Sequence, residues 1–341
     1  MPLITQAFVL GAGLGTRLRP LTDDLPKPLV PIFQKPLITF AFDHLIDFGV
    51  ERFFVNTHHR PERFWEIFGS PRLPGARQKF VGQPGGLSLS SEGFYRDRTI
   101  EFRHELNLLE TAGGIANIAD SLGNEPLLVY NGDVLTDLPI ARLIEHHFRA
   151  ANVVTLALRS GPGPKQIALD SEKGRVIDIR NQLGTDGSDE FVFSGIYVVD
   201  RKFVDGLQRG VKRSVIPIFL ELIRHGEKLG GVVIDEGHWW DVGNREAYLQ
   251  LHRELPSLNF PGYPVDDPDW RIFVHKTAII DPTAQLRGYS VVGADCRVGE
   301  AAILEDTILW PGAQIASRSN LRGCIVRSRC KASGVHRNID I

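Results

Sequence analysis

Short apolar runs at 7–10, 53–55, 127–130, 153–158, 191–199 and 232–234 alternate with helix-patterned segments over the first 255 residues. Runs of this length bounded by turn residues read as buried strands, and their alternation with helices predicts an α/β sheet. The clearest helix spans 36–48, with Ile38, Ala41, Phe42, Leu45 and Ile46 on one face and Gly49 as its stop signal. Residues 70–98 are rich in Gly, Pro and Ser and read as a long loop or hairpin beside the site.

The pattern changes at 256–268, where four prolines and two acidic residues break the periodicity, as in a linker. Beyond it, aliphatic residues recur at Val292, Val298, Leu304, Trp310 (or Leu309), Ile315 and Leu321, and Gly293, Gly299 and Gly312 follow three of them. Period six excludes an antiparallel hairpin and an α-helix, and predicts a parallel left-handed β-helix of hexapeptide repeats, about three coils long. The expected division is 1–255 for an α/β domain, 256–270 for a linker and 271–341 for the β-helix. A solenoid that short calls for a cap or a partner, so the chain is expected to form a homo-oligomer through these coils, with Trp310 supplying apolar surface.

Composition narrows the function classes. A net charge of −2 over 341 residues gives no general basis for binding nucleic acid or an anionic membrane. No apolar run is long enough to span a bilayer, and the first residues lack a signal-peptide pattern, so a cytoplasmic protein is expected. Cys296, Cys324 and Cys330 are odd in number and lack metal-type spacing, which predicts free thiols. His58-His59 and His146-His147 are adjacent pairs whose rings point apart, with no third ligand nearby in sequence, so zinc is not expected there. The run 318–337 holds six basic and no acidic residues and reads as exposed coil edges.

The chemistry concentrates in Gly11-Ala12-Gly13-Leu14-Gly15-Thr16-Arg17-Leu18-Arg19-Pro20 and the Pro26-Lys27-Pro28 that follows. Glycines at alternate positions leave backbone N–H groups open to an anion, and Arg17, Arg19 and Lys27 bring three cations to the same loop. A triphosphate fits that charge. A dinucleotide-binding turn would need glycine at Thr16 and an acidic residue about 20 positions on. A P-loop would need Lys-Ser/Thr after Gly15, which is followed by Thr16-Arg17.

The string instead resembles GxGxRxxPxTxxxPKP, the motif that opens the nucleotide site of the sugar-1-phosphate nucleotidyltransferases. This resemblance covers residues 7 to about 255 and implies a Rossmann-like domain with a mixed sheet. It implies magnesium ligands at Asp133, which follows strand 127–130 in Asn131-Gly132-Asp133, and at Asp241 in Trp239-Trp240-Asp241-Val242-Gly243. It implies nucleotide contacts at Leu10, Gly11, Ala12, Gly13, Gly15, Thr16 and Arg17, and at Thr111, Ala112 and Gly113, where Gly113 and Gly114 would open a helix N-terminus as a second backbone platform. Gln83 resembles a base-reading glutamine of thymidylyl-transferring relatives. Asn131, Gly132, Ser194 and Gly195 would line a sugar pocket.

One departure stands out. Where relatives carry Glu-Lys-Pro to grip the sugar phosphate, this chain has Asn181-Gln182, leaving Asn181 at the sugar site and Lys165 or Arg180 as substitutes. The implied reaction joins an NTP and a sugar 1-phosphate with release of pyrophosphate, Arg17, Lys27, Asp133 and Asp241 being catalytic. Domain order resembles the mannose-1-phosphate guanylyltransferases, while Leu108-Leu109-Glu110-Thr111-Ala112-Gly113-Gly114 is similar to the muramate/hexosamine-1-phosphate uridylyltransferases. A non-catalytic, nucleotide-sugar-binding regulator and a β-helix acyltransferase using His275 or His336 are the rival readings.

Overall fold

A computed structural model describes residues 4–69, 79–83, 86–185 and 189–341, with the side chains of 79–83 and 86–89 left outside the description. The chain starts with β1 (Gln6–Leu10), a two-rung ladder of β2 (Pro31–Ile32) and β3 (Lys35–Pro36), α1 (Leu37–Phe48), β4 (Arg52–Thr57) and α2 (Pro61–Phe68). Next come β5 (Lys79–Gln83), β6 (Gly86–Tyr95) and β7 (Arg98–His104), then α3 (Glu110–Ile118), β8 (Leu127–Asn131), β9 (Val134–Thr136) and α4 (Ile140–Ala150). The α/β part closes with β10 (Val154–Arg159), β11 (Lys165–Asp170), β12 (Arg175–Ile179), β13 (Asp189–Val199), α5 (Arg201–Asp205), α6 (Val215–Arg224), β14 (Leu229–Val233), β15 (Trp239–Asp241) and α7 (Arg245–Glu254).

Eleven strands form one mixed sheet in the order β10-β14-β12-β11-β13-β8-β1-β4-β7-β6-β5. Its centre is parallel, with β1 between β4 and β8, while β13 lies antiparallel to β8. The segment after residue 70 resolves into the edge strands β5 and β6, so the hairpin is found; residues 70–78, 84 and 85 lie outside the description.

Strand periodicity explains the layers. Ala7, Val9, Phe53, Val55, Leu128 and Tyr130 face a core with α1, α2 and α4, whereas Phe8, Phe54, Leu127 and Val129 face a second core with α3, α5 and α6. Both sheet faces are therefore covered, and the predicted helix 36–48 is α1, starting one residue later.

The last seventy residues wind as a three-sided parallel β-helix. Ladders run 279–280, 297–298, 314–315, 331–332 on one side and 285–287, 303–305, 320–322, 335–337 on the next. The third side pairs Val291 with Ile308 and Ile325, and Val292 with Leu309 and Val326. Val292, Val298, Leu304, Leu309, Ile315 and Leu321 all point inward, so Leu309 rather than Trp310 holds the repeat position. The step from Leu304 to Leu309 is five residues, which turns Trp310 outward.

That outward turn corrects the expectation that Trp310 offers surface to a partner. Trp310 is 2% exposed, packed with Val291, Ile308 and Ile325 against Tyr248, Leu251 and Leu255 of the α/β part. Phe260 and Trp270, from the proline-rich segment, join the same core. Arg327, from the basic run, turns back to donate to the Pro20 carbonyl at 3.3 Å and Asp24 Oδ2 at 2.9 Å. The three cysteines are free.

Candidate active site

A cleft of about 340 Å³ opens at the carboxyl ends of β1, β4 and β8, the edge where parallel sheets place ligands. Leu10, Ala12 and Gly13 form one wall, Leu108, Glu110, Thr111 and Ser214 the facing one, and Lys27, Asn56, Asn131 and Asp133 the floor and end. The sheet register sets this, because Leu10 is paired with both Asn56 and Asn131.

Asp133 and Asp241 come from distant parts of the chain and are brought together by the two-stranded pairing of β15 with β9, in which Asp241 stands opposite Val134. Between them lies the Lys27 ammonium, 2.5 Å from Asp133 Oδ2 and 3.5 Å from Asp241 Oδ1. The lysine side chain is only 7% exposed, so a buried cation neutralises two part-exposed carboxylates, of which Asp133 lines the cleft. Arg17, itself well exposed, approaches the far oxygen of Asp241 at 3.9 Å. Arg19 departs from the predicted trio of cations, because its Nε turns to Asp23 at 3.5 Å.

Gly132 makes the turn into Asp133 possible, since a Cβ there would stand 2.5 Å from the Leu10 carbonyl oxygen. Its N–H donates to that same carbonyl at 3.1 Å. Gly11 lies beneath the cleft wall with its N–H committed to Asn56 Oδ1 at 2.8 Å. Gly13 faces open space, while Gly15 and Thr16 begin the short turn Thr16–Leu18 that carries Arg17.

The second expected platform is built differently from the prediction. The N–H groups of Ala112 and Gly113 are taken by the Arg213 carbonyl, at 2.9 and 3.2 Å, and the Thr111 hydroxyl accepts from Val215 N at 2.9 Å. Those groups knit α3 to the start of α6 and leave the N–H groups at 112 and 113 spoken for. Glu110 instead presents itself to the cleft, at φ 60°.

On the sugar side, Gly195 lies against the Asn131 side chain. Ser194 is fully buried: its hydroxyl accepts from Ile196 N at 3.2 Å and its carbonyl from Trp239 Nε1 at 2.8 Å. Asn181 is exposed at φ 51°, in a loop wound around Asp178, which accepts from the N–H groups of Gln182, Leu183 and Thr185. Arg180 Nε donates to Gln166 Oε1 at 2.8 Å, and its N–H to the Gln166 carbonyl at 2.7 Å, which sets Arg180 beside exposed Lys165. The Gln83 side chain lies outside the described residues. His58 and His59 each bond a separate backbone carbonyl, of Glu105 and Thr22.

Two cleft residues escaped the sequence reading. Asn56 is polar at the end of an apolar strand neighbouring β1, a position that the carboxyl-end rule flags once strand order is known. Ser214 is the N-cap of α6 and arrives at the cleft only through the fold.

Two acidic side chains with an adjacent lysine suit magnesium, which takes one or two carboxylates and completes its shell with phosphate oxygens and water. Among the described residues no cluster of three or more His, Cys, Asp or Glu side chains forms a fuller cage.

A family profile described as nucleotidyl transferase matches residues 6–257. The chain belongs to the nucleotidyl transferase family. It is 29% identical over 325 residues to a mannose-1-phosphate guanylyltransferase of Mycobacterium tuberculosis, covering 94% of this chain and 82% of that one. It is 27% identical over 238 residues to the N-acetylmuramate alpha-1-phosphate uridylyltransferase of Neisseria meningitidis, covering 70% and 93%. The crystal structure of HddC from Yersinia pseudotuberculosis superposes with a TM-score of 0.55 at 20% identity, over 73% of this chain and 98% of that one, and shares the fold. The chain is therefore a sugar-1-phosphate nucleotidyltransferase, an enzyme that forms an NDP-sugar.

Proposed function

We propose that this enzyme couples GTP and mannose 1-phosphate, a phosphate oxygen of the sugar phosphate attacking the α-phosphorus in line. A new P–O bond forms as the α–β bridge breaks, and the electron pair leaves with pyrophosphate. No covalent enzyme intermediate is required; positioning and charge neutralisation do the work. The observation that carries the reading is the Lys27 ammonium set between Asp133 and Asp241 at the mouth of the glycine loop.

Asp133 and Asp241 would hold Mg²⁺, which when bound neutralises phosphate charge and polarises the α-phosphoryl group. Lys27 keeps the two carboxylates from repelling one another and stands ready to contact phosphate. Arg17, well exposed, steadies the β- and γ-phosphates and the departing pyrophosphate. Leu10, Ala12, Gly13 and Thr111 frame the nucleoside, and Asn131 beside Gly195 frames the sugar. Lys165 or Arg180 takes the place of the missing Glu-Lys-Pro lysine.

Uridylyl transfer to a muramate or hexosamine 1-phosphate is the second reading, favoured by Glu110 at the cleft wall and by the match to the Neisseria enzyme. A panel of four NTPs against mannose, glucose, N-acetylglucosamine and N-acetylmuramate 1-phosphates separates them. We further expect a cytoplasmic protein; no helix among the described residues is long and apolar enough to cross a membrane. Self-association through the C-terminal coils, where Ile279 and Val335 are exposed, is the expected assembly, and light scattering of the full chain tests it.

A further inference from the structure

The two walls of the cleft are tied by one directional chain of buried hydrogen bonds. Gly11 N–H, at the root of the glycine loop, donates to Asn56 Oδ1 at 2.8 Å. Asn56 Nδ2 donates to Glu105 Oε1 at 2.8 Å, and Glu105 Oε2 accepts from Leu109 N–H at 2.8 Å, in the turn that leads into Glu110 and Thr111. Both side chains are 2% exposed.

Every group in this chain has a fixed polarity. A carboxylate accepts at both oxygens, and an amide accepts at one end and donates at the other, so the order N–H, amide, carboxylate, N–H is complementary at every contact. The pair lies under α3, where a Cβ at Gly114 would stand 3.0 Å from Asn56 Nδ2 and 3.1 Å from Glu105 Oε1. Burial pushes the Glu105 carboxyl above its usual range, and the Leu109 and Asn56 donors oppose that shift.

Neither residue is placed to carry the reaction itself. Glu105 does not line the cleft, and Asn56, which does, has its amide oxygen committed to Gly11 N–H and its amide nitrogen to Glu105. We infer that Asn56 and Glu105 are positioning residues: a strut that sets the distance between the glycine loop and the Leu108–Thr111 turn, and thereby the affinity for the nucleotide that both walls hold. This rests on the cleft being the NTP site.

A polarity swap tests the strut. In Glu105→Gln, whichever way the amide turns, its NH₂ meets another donor, Asn56 Nδ2 or Leu109 N–H. In Asn56→Asp, the new carboxylate still accepts from Gly11 but faces that of Glu105. Combining the two restores each contact: Asp at 56 accepts from Gly11 and from the glutamine NH₂ at 105, whose oxygen accepts from Leu109. The total charge equals that of the parent.

Calorimetric binding of the NTP and steady-state KM and kcat are measured for the parent, both single variants and the double. We expect each single variant to bind NTP at least tenfold more weakly, with the same rise in KM and less than threefold change in kcat, and the double variant to return within threefold of the parent. Melting temperatures separate a role in stability alone, which would lower Tm in the single variants and leave KM untouched well below it. Single variants with parental KM, or a double variant no better folded or tighter binding than the worse single, would overturn the strut. Failure of the parent to bind any NTP would instead overturn the nucleotide reading.

Discussion

The Trp310 indole donates from Nε1 to the Tyr248 hydroxyl at 3.0 Å, and that hydroxyl donates in turn to the Pro31 carbonyl at 2.5 Å. The contact joins the β-helix, α7 and the segment just after Pro26-Lys27-Pro28. It runs through an apolar core, where Tyr248, Trp310 and Ile325 are each no more than 2% exposed. Trp310→Ala therefore removes a buried aromatic and leaves a cavity between the two halves, for an expected loss of about 3–5 kcal/mol. Equilibrium unfolding in urea checks this, and a change below about 1 kcal/mol would show that the halves do not depend on this contact. Deleting residues 260–341 uncovers the same surface, so the remaining part should melt lower and self-associate.

A buried ion network between β3, α1 and the turn after β6 supports α1. Lys35 Nζ lies 2.7 Å from Asp43 Oδ2 and also bonds the Tyr95 hydroxyl; Arg96 reaches Asp43 Oδ1 at 3.1 Å and Asp266 at 3.2 Å. Lys35 and Asp43 are 5% and 0% exposed. Asp43→Asn strips two cations of their shared anion, one of them deeply buried, and is expected to cost about 3–5 kcal/mol. Thermal unfolding reads the result, and a melting point unchanged within a degree would contradict the assigned strength.

Acid should destabilise the fold well above the carboxylate range. Burial lowers the His44 and His252 imidazoles to about 4, and His252 is held neutral between Phe33 N–H, which it accepts at 3.1 Å, and the Tyr248 carbonyl. The unfolded chain protonates both near 6.5, so their contribution is intact above that pH and falls away as pH descends toward 4, by roughly 3 kcal/mol each at its fullest. Stability measured from pH 7.5 to 4.5 should decline along this slope. His252→Gln should flatten it, and an unchanged slope would show that His252 contributes nothing to the acid sensitivity.

Much of this was legible along the chain. The alternating runs gave the central strands because both sheet faces are covered, which makes the strands continuously apolar. The hexapeptide register announced the β-helix. Trp310 misled because one corner between Leu304 and Leu309 is a residue short, and a count of six then lands on the outward position. The N–H groups of Ala112 and Gly113 looked free because their acceptor, the Arg213 carbonyl, lies about a hundred residues on. The meeting of Asp133 with Asp241 was suggested by family resemblance alone; the β9–β15 pairing that makes it physical carries no local signal.

The carboxylates can be tested separately from the fold. Asp133→Asn and Asp241→Asn keep shape and remove charge, and each is expected to lower turnover at least a hundredfold, on the scale of deleting a transition-state electrostatic contact. Circular dichroism should be unchanged. Turnover within threefold of the parent for Asp133→Asn would reject its metal role, and turnover that persists after EDTA treatment would reject a metal requirement.

Pyrophosphate release with Mg²⁺, across four NTPs and the panel of sugar 1-phosphates, reads the assigned reaction itself. Turnover is expected for at least one pair, with GTP and mannose 1-phosphate first, and a matching NDP-sugar by mass spectrometry. No release from any pair by a protein that still binds nucleotide sugars would contradict it and leave a regulatory homologue in its place.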